Sequence, residues 1–271
     1  FYVIYKKSNV YDGWRQLTFA YPTLAVAAAL FWNELLEMFS GKKVVQYAVY
    51  GGFALLLADA AAFIGANPKI PYVYFNPAMG GTKGAYGKYE TDYWGISIRQ
   101  GIEWMEKQGI LKPDMKDKVV IATNMYYPAQ KLLAKYGDKV VVKYLKWERR
   151  CDDAWDYGLY PTRFLDGAAL AKGKWPPDNA AHIVEAGGAP ILAILKDTGK
   201  NCALGMASMK LNDWDGAIEL LRKEVEAVPD NEVAWGALAQ AYLNSNKLDE
   251  AKNAAEKTLE ISPADEQGNN V

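Results

Sequence analysis

The sequence predicts an α+β chain in several parts: a transmembrane helical hairpin, a small α/β domain and C-terminal α-helical repeats. Three observations carry that prediction. Charge-poor apolar runs fill much of residues 1–67, strand-like and helix-like segments alternate over residues 68–197, and a 34-residue period marks residues 198–271. Composition narrows the function classes. Lys+Arg 31 against Asp+Glu 32, a formal net charge of -1, argues against nucleic acid as a partner, because such surfaces are strongly basic. A hydrophobic fraction of 51% with 23% charged residues excludes a disordered chain.

The first apolar run, Leu17 to Trp32, holds no charge but contains Pro22, which is expected to interrupt it. It reaches the length of a span by continuing through Asn33, Glu34 and Glu37 to about Phe39, or by snorkelling at one end. The second, Val44 to Ile64, is 21 residues long and broken only by Gln46 and Asp59. Ser40-Gly41-Lys42-Lys43 forms the polar turn between them, and its two lysines suit a cytoplasmic loop. A membrane hairpin follows, with the lipid bilayer as a partner. The Ala-rich stretches also fit a buried hairpin of a soluble protein, and hydropathy favours the membrane. Within a span, Asp59 is expected to face other helices or a polar path.

Residues 68–197 read as one compact α/β domain. Ile98, Ile102 and Met105 recur at helical spacing with Trp94, and Gly109 follows where that helix ends. Residues 118–122 form a strand, 129–135 a short helix and 139–144 a second strand, most simply paired in parallel. Residues 182–185 and 190–195, joined by Gly187-Gly188, make a hairpin that extends the same sheet.

The chemistry-bearing residues of this region are few. Gly80–Gly87 is Gly-rich but lacks the spacing of a phosphate loop. Asp152, Asp153 and Asp156 lack the alternation of a calcium loop and read as a solvated face. Cys151 and Cys202 are too few for a disulfide scaffold or zinc ribbon, and the single His182 reads as structural, so no metal is expected. Tyr86, Tyr89, Glu90, Asp92, Tyr93 and Trp94 form a candidate carbohydrate patch, since aromatic faces stack on sugar rings while carboxylates accept hydroxyl hydrogens. The same aromatics would equally serve as core.

The C-terminal period is visible by direct comparison. Leu204, Ala217 and Pro229 recur as Leu238, Ala251 and Pro263, and Gly205 is matched by Ala239. This is tetratricopeptide spacing, in which small residues let two antiparallel helices approach. The second copy follows the pattern more closely, with Trp235 and Tyr242 in place and Thr258 at an expected alanine; the first has Ser208 where Tyr is usual. Two repeats rarely stand alone, so they are expected to pack on the α/β domain, as a cap or as a groove for a protein or peptide partner.

Several motifs together resemble a known family. Tyr11-Asp12-Gly13-Trp14-Arg15, followed by the apolar run with Tyr21-Pro22, resembles the last membrane section of bacterial protein-mannosyltransferase-like proteins. These are multi-span, C-type enzymes similar to glycosyltransferase family 39, and their donor substrate is a polyprenyl-phosphate-linked sugar. Residues 72–77 with Gly80-Gly81, then Gly84 to Gly95, are similar to the segment after their final span; Trp155-Asp156-Tyr157-Gly158 and Trp175-Pro176-Pro177 fit the same soluble extension.

The resemblance implies a bacterial inner-membrane enzyme with its soluble part in the periplasm. It implies further N-terminal spans as partners, and a catalytic acid in an early external loop. This chain begins after that loop, at Phe1 rather than Met, and reads as a piece of a longer protein or a processed product, expected to be inactive alone. Gln16 stands where the family commonly has His, so no role transfers there. Arg15 is expected to hold a lipid phosphate and Asp12 to orient it or touch a sugar hydroxyl; Tyr11, Trp14 and Arg15 would also suit an interfacial anchor. The alternative function is a membrane-anchored tetratricopeptide module that recruits a protein.

Overall fold

A computed structural model describes residues 18–173, 175–177 and 179–262. The chain divides into two compact units, Phe1–Ala61 and Ala62–Val271.

The first unit holds helix α1 (Tyr21–Met38) and most of α2 (Lys43–Ala66). Pro22 does not interrupt the first run, contrary to the sequence expectation. It stands in the opening turn of α1, where a missing N–H breaks no helical bond, and the helix runs on through Glu37. Inside the helix, Asn33 donates to the Glu37 carboxylate at 2.8 Å. Gly41, with φ +85°, supplies the left-handed residue of the connecting turn. The helices touch where Trp32 meets Phe53 edge-on at 5.0 Å and where the Gln46 amide donates to the Leu36 carbonyl at 3.2 Å.

Thr18–Met38 and Lys43–Ala66 are both long and apolar enough to cross a membrane, and neither buries any part of its apolar window. At ~1.5 Å per residue, 24 residues of α2 span about 36 Å, against a hydrocarbon core of about 30 Å.

The second unit begins with the last turn of α2. Asn67 donates its side-chain amide to the Phe63 carbonyl at 3.0 Å, and the Phe63 ring packs on Tyr74. Short turns then lead through α3 (Gly81–Ala85) to α4 (Ser97–Lys107). Trp94 falls outside that helix. The Asp92 carboxylate accepts the Ile96 and Ser97 amides, so the helix starts after Trp94 rather than on it.

The sheet consists of β1 (Val119–Thr123), β2 (Val140–Tyr144), β3 (Tyr157–Pro161), β4 (Ala180–Ala186) and β5 (Ala189–Lys196), in the order β2-β1-β3-β5-β4. The two sequence-predicted strands pair in parallel through α5 (Tyr126–Leu133), as expected, and β4–β5 is the expected hairpin. The strand β3 is not among the elements predicted from the sequence. It pairs in parallel with β1 and antiparallel with β5, so it joins the two halves. On one face α4 contributes Ile98, Ile102 and Met105, which pack with Leu159, Leu192 and Ile194. On the other, Trp155, Tyr160 and Trp175 pack with Leu170 of α6 (Gly167–Ala171), Ala193 and Leu195.

Helices α7 (Asn201–Lys210), α8 (Trp214–Ala227), α9 (Glu232–Asn244) and α10 (Leu248–Ile261) form the two repeats. Asn212 and Asn246 take left-handed φ of 59° and 57° in equivalent turns. Ala217, Ala239 and Ala251 are buried where helices cross, and a Cβ on Gly205 would lie 2.7 Å from Leu221. One pair of equivalents differs in environment: Leu204 is 48% exposed and Leu238 2%, because only the second repeat has a helix pair stacked before it. The repeats pack on the sheet domain as expected. A disulfide joins Cys151 to Cys202, and Arg150 pairs with Glu232.

Candidate functional site

The carboxyl ends of β1, β2 and β3 share one sheet edge, because the three strands are parallel. From β1 the chain crosses through α5 to β2 on one side, while β3 lies on the other, which makes β1/β3 a topological switch point. Open sheets bind ligands outside such points. Residues 86–96 cover this edge. Thr91 and Thr162 share a hydroxyl hydrogen bond of 2.6 Å, the Arg163 guanidinium donates to the Tyr93 carbonyl at 2.8 Å, and Gly95 (φ +63°) lies against the Met125 side chain.

The structure thus places the sequence-predicted aromatic patch at the switch point but divides its members. Tyr89, Glu90 and Trp94 are exposed, and Tyr93 lies beneath Arg163, its ring 3.8 Å from the guanidinium carbon. Asp92 does not belong to the exposed patch. It is fully buried, accepting from Tyr72, Ser97 and Ile96 to hold the start of α4. Burial first, and the Asp92 carboxylate second, push the Tyr72 phenol up. Tyr86 is likewise structural: its hydroxyl donates to the Trp175 carbonyl at 3.2 Å, and burial raises its pKa.

Sequence reasoning missed Tyr127, Tyr144, Phe164 and Arg163, which stand at or just after strand ends and share this edge. The available signal was positional, an aromatic at the end of each parallel strand or within four residues beyond it, and it required knowing β3. A pocket of about 260 Å³ opens between residues 87–90 and Thr162–Arg163, with Glu90 3.8 Å from the Arg163 Nε. The carboxamide of Asn124, just after β1, is buried without a hydrogen-bond partner among the described residues.

The other singled-out residues hold structure. Asp152 pairs with Arg149, Asp153 with Lys143 at 2.7 Å, and Asp156 with Lys200 at 3.0 Å. His182 stacks on Trp104 with ring centroids 4.8 Å apart, and burial lowers its pKa. Asp12 and Arg15, the residues expected at a lipid phosphate, lie outside the described residues, as does Pro263.

A larger concavity than the pocket at Thr162–Arg163 lies on the repeats. A groove of about 900 Å³ runs between α8 and α10, floored by Trp235, Leu238 and Tyr242 of α9. Small residues on α10, Ala251, Ala254 and Ala255, let that helix sit close to α9. The rim carries Arg222 and Glu226 on α8 and Glu250, Glu256 and Lys257 on α10.

Comparison with known families matches residues 208–271 to the tetratricopeptide repeat. The match takes in Ala217, Pro229, Leu238, Ala239, Ala251 and Pro263 of the 34-residue period, while Leu204 and Gly205 precede it. No curated protein matches the chain.

Proposed function

We propose that this chain is a membrane-anchored interaction module in which α1 and α2 lie in the bilayer and the repeats hold a segment of a partner protein. The observation that carries this reading is the groove of about 900 Å³ over Trp235, Leu238 and Tyr242, since repeats of this kind commonly mediate protein interactions. The Cys151–Cys202 disulfide supports placing the soluble part in an oxidising compartment, the periplasm of a bacterium, and Lys42 and Lys43 then face the cytoplasm.

A peptide library selected on the full chain in nanodiscs tests the groove. Sequences enriched on the native chain should lose at least tenfold in affinity for a Trp235→Ala/Tyr242→Ala variant of unchanged melting behaviour, about 1.4 kcal/mol or more. Equal binding to both proteins removes the groove from the function.

A second reading follows the family resemblance: the chain is the C-terminal region of an inner-membrane glycosyltransferase that uses a polyprenyl-phosphate-linked sugar. Its support is the switch-point edge, where exposed Tyr89 and Trp94 offer stacking faces beside Glu90 and Arg163. In this reading the edge positions the acceptor, Arg15 holds the phosphate, and the catalytic acid lies in another part of the parent enzyme. Arg15→Ala in the full-length parent should depress sugar transfer from the lipid carrier; unchanged turnover takes Arg15 out of the site.

A further inference from the structure

Five exposed aromatics of the second unit gather on one sheet edge. Tyr144 ends β2, Tyr127 lies in the first turn of the helix after β1, Phe164 follows β3, and Tyr89 and Trp94 come from the segment covering those strand ends. Each is between 46% and 80% exposed, well above what aromatics in a soluble core show. A band of this kind marks a surface that something covers.

The connectivity of the chain indicates what. Strand β5 runs antiparallel to β3, with Pro161 opposite Leu192, so the Gly187-Gly188 turn lies at the same edge as the carboxyl ends of β1 to β3. Phe63, in the last turn of α2, packs against Gly187 and Tyr74. The last turn of α2, within the same compact unit as the sheet, therefore lies at the aromatic edge. The opposite edge is where β5 ends at Lys196 and leads into the repeats.

We infer that this edge lies on the membrane surface, with Tyr89, Trp94, Tyr127, Tyr144 and Phe164 in the headgroup region of the bilayer that receives α2. The side chains suit that place. Tyrosine and tryptophan carry an apolar ring with one polar tip, and they concentrate where hydrocarbon meets water. A protein-binding patch has no need to coincide with the entry of an apolar helix, whereas a lipid-facing one must. The repeats, joined at the other edge, stay available to a partner. This inference rests on the proposed anchoring of α2.

The test uses the full chain in nanodiscs of equal parts phosphatidylethanolamine and phosphatidylglycerol. The photo-crosslinker p-benzoylphenylalanine replaces, one at a time, Tyr127, Tyr144, Leu56 of α2 and Leu211 in the first repeat's turn, all exposed positions. Lipid adducts are read by mass spectrometry. Tyr127 and Tyr144 should give several-fold more lipid adduct than Leu211, approaching Leu56. Adducts at the Leu211 level, with Leu56 strongly labelled, overturn the lipid-facing edge and leave the anchor intact. Leu56 without lipid adducts removes the anchor and this inference together. Protein adducts at Tyr127 and Tyr144 in place of lipid assign the edge to another chain and also overturn it.

Discussion

Arg150 and Glu232 form a buried two-pronged ion pair, with guanidinium nitrogens 2.8 and 2.6 Å from the two carboxylate oxygens. The same guanidinium donates to the Asn231 side chain and the Trp147 carbonyl, each at 2.9 Å, and stacks on the Trp147 ring. Burial opposes the charge on Arg150, and Glu232 outweighs it, so the guanidinium is held more firmly protonated. The pair joins the sheet domain to the start of α9. Breaking one half leaves a buried charge alone. Glu232→Ala should therefore cost about 3–5 kcal/mol, seen as a lower urea midpoint, while the apolar pair Arg150→Met/Glu232→Leu should cost far less.

The neighbouring disulfide acts on the unfolded chain. Cys151 and Cys202 are separated by 51 residues, a loop whose closure entropy corresponds to about 4 kcal/mol. Replacing both by alanine should lower the unfolding free energy by an amount of this order, read as a lower urea midpoint. Dithiothreitol should do the same to the native protein and nothing to the double variant.

The sequence reading succeeded where one period governs many residues. The repeats were legible because Leu, Ala and Pro recur 34 apart, and the apolar helices because hydropathy needs no partner to be read. The β1–α5–β2 unit was legible from Val- and Ile-rich runs on either side of a short helix. The strand β3 was not. Tyr157-Gly158-Leu159-Tyr160-Pro161 has Gly inside and Pro at its end, and it is a strand only because β1 and β5 flank it. Missing β3 hid the switch point, and with it Tyr127, Phe164 and Arg163. Asp92 showed the converse: its charge suggested a ligand contact, yet the Ile96 and Ser97 amides use it to begin a helix. The disulfide was illegible because the two cysteines meet only when the repeats fold back on the sheet.

Asp197, between β5 and α7, titrates above its ordinary range because burial disfavours the carboxylate more than the Gly199 and Lys200 amides favour it. A raised folded pKa gives stability that is complete below the ordinary value of 3.8 and is lost as pH rises through the folded value. Asp197→Asn keeps an oxygen for both amides and removes the titration. At pH 7 it should gain under about 1 kcal/mol, since solvent screens a half-buried group, and its melting temperature should fall less steeply from pH 4 to 7. A variant with the native pH profile would show that Asp197 carries none of this dependence.

Gly101 sits in the middle of α4, where helix propensity alone would make alanine better by about 1 kcal/mol. The contacts point the other way. A Cβ there would lie 2.7 Å from a methyl of Leu192, 3.2 Å from one of Leu159 and 3.4 Å from one of Ile194. All three side chains are fully buried, so they have nowhere to withdraw. Overpacking of this kind costs about 1–3 kcal/mol, which exceeds the propensity gain. Gly101→Ala should therefore destabilise the protein by about 1 kcal/mol in net terms, read from its denaturation midpoint. Adding Leu192→Val removes the closest methyl, and the double variant should recover part of the loss. If the two substitutions simply add, the close approach of α4 to the sheet is not what requires glycine at this position.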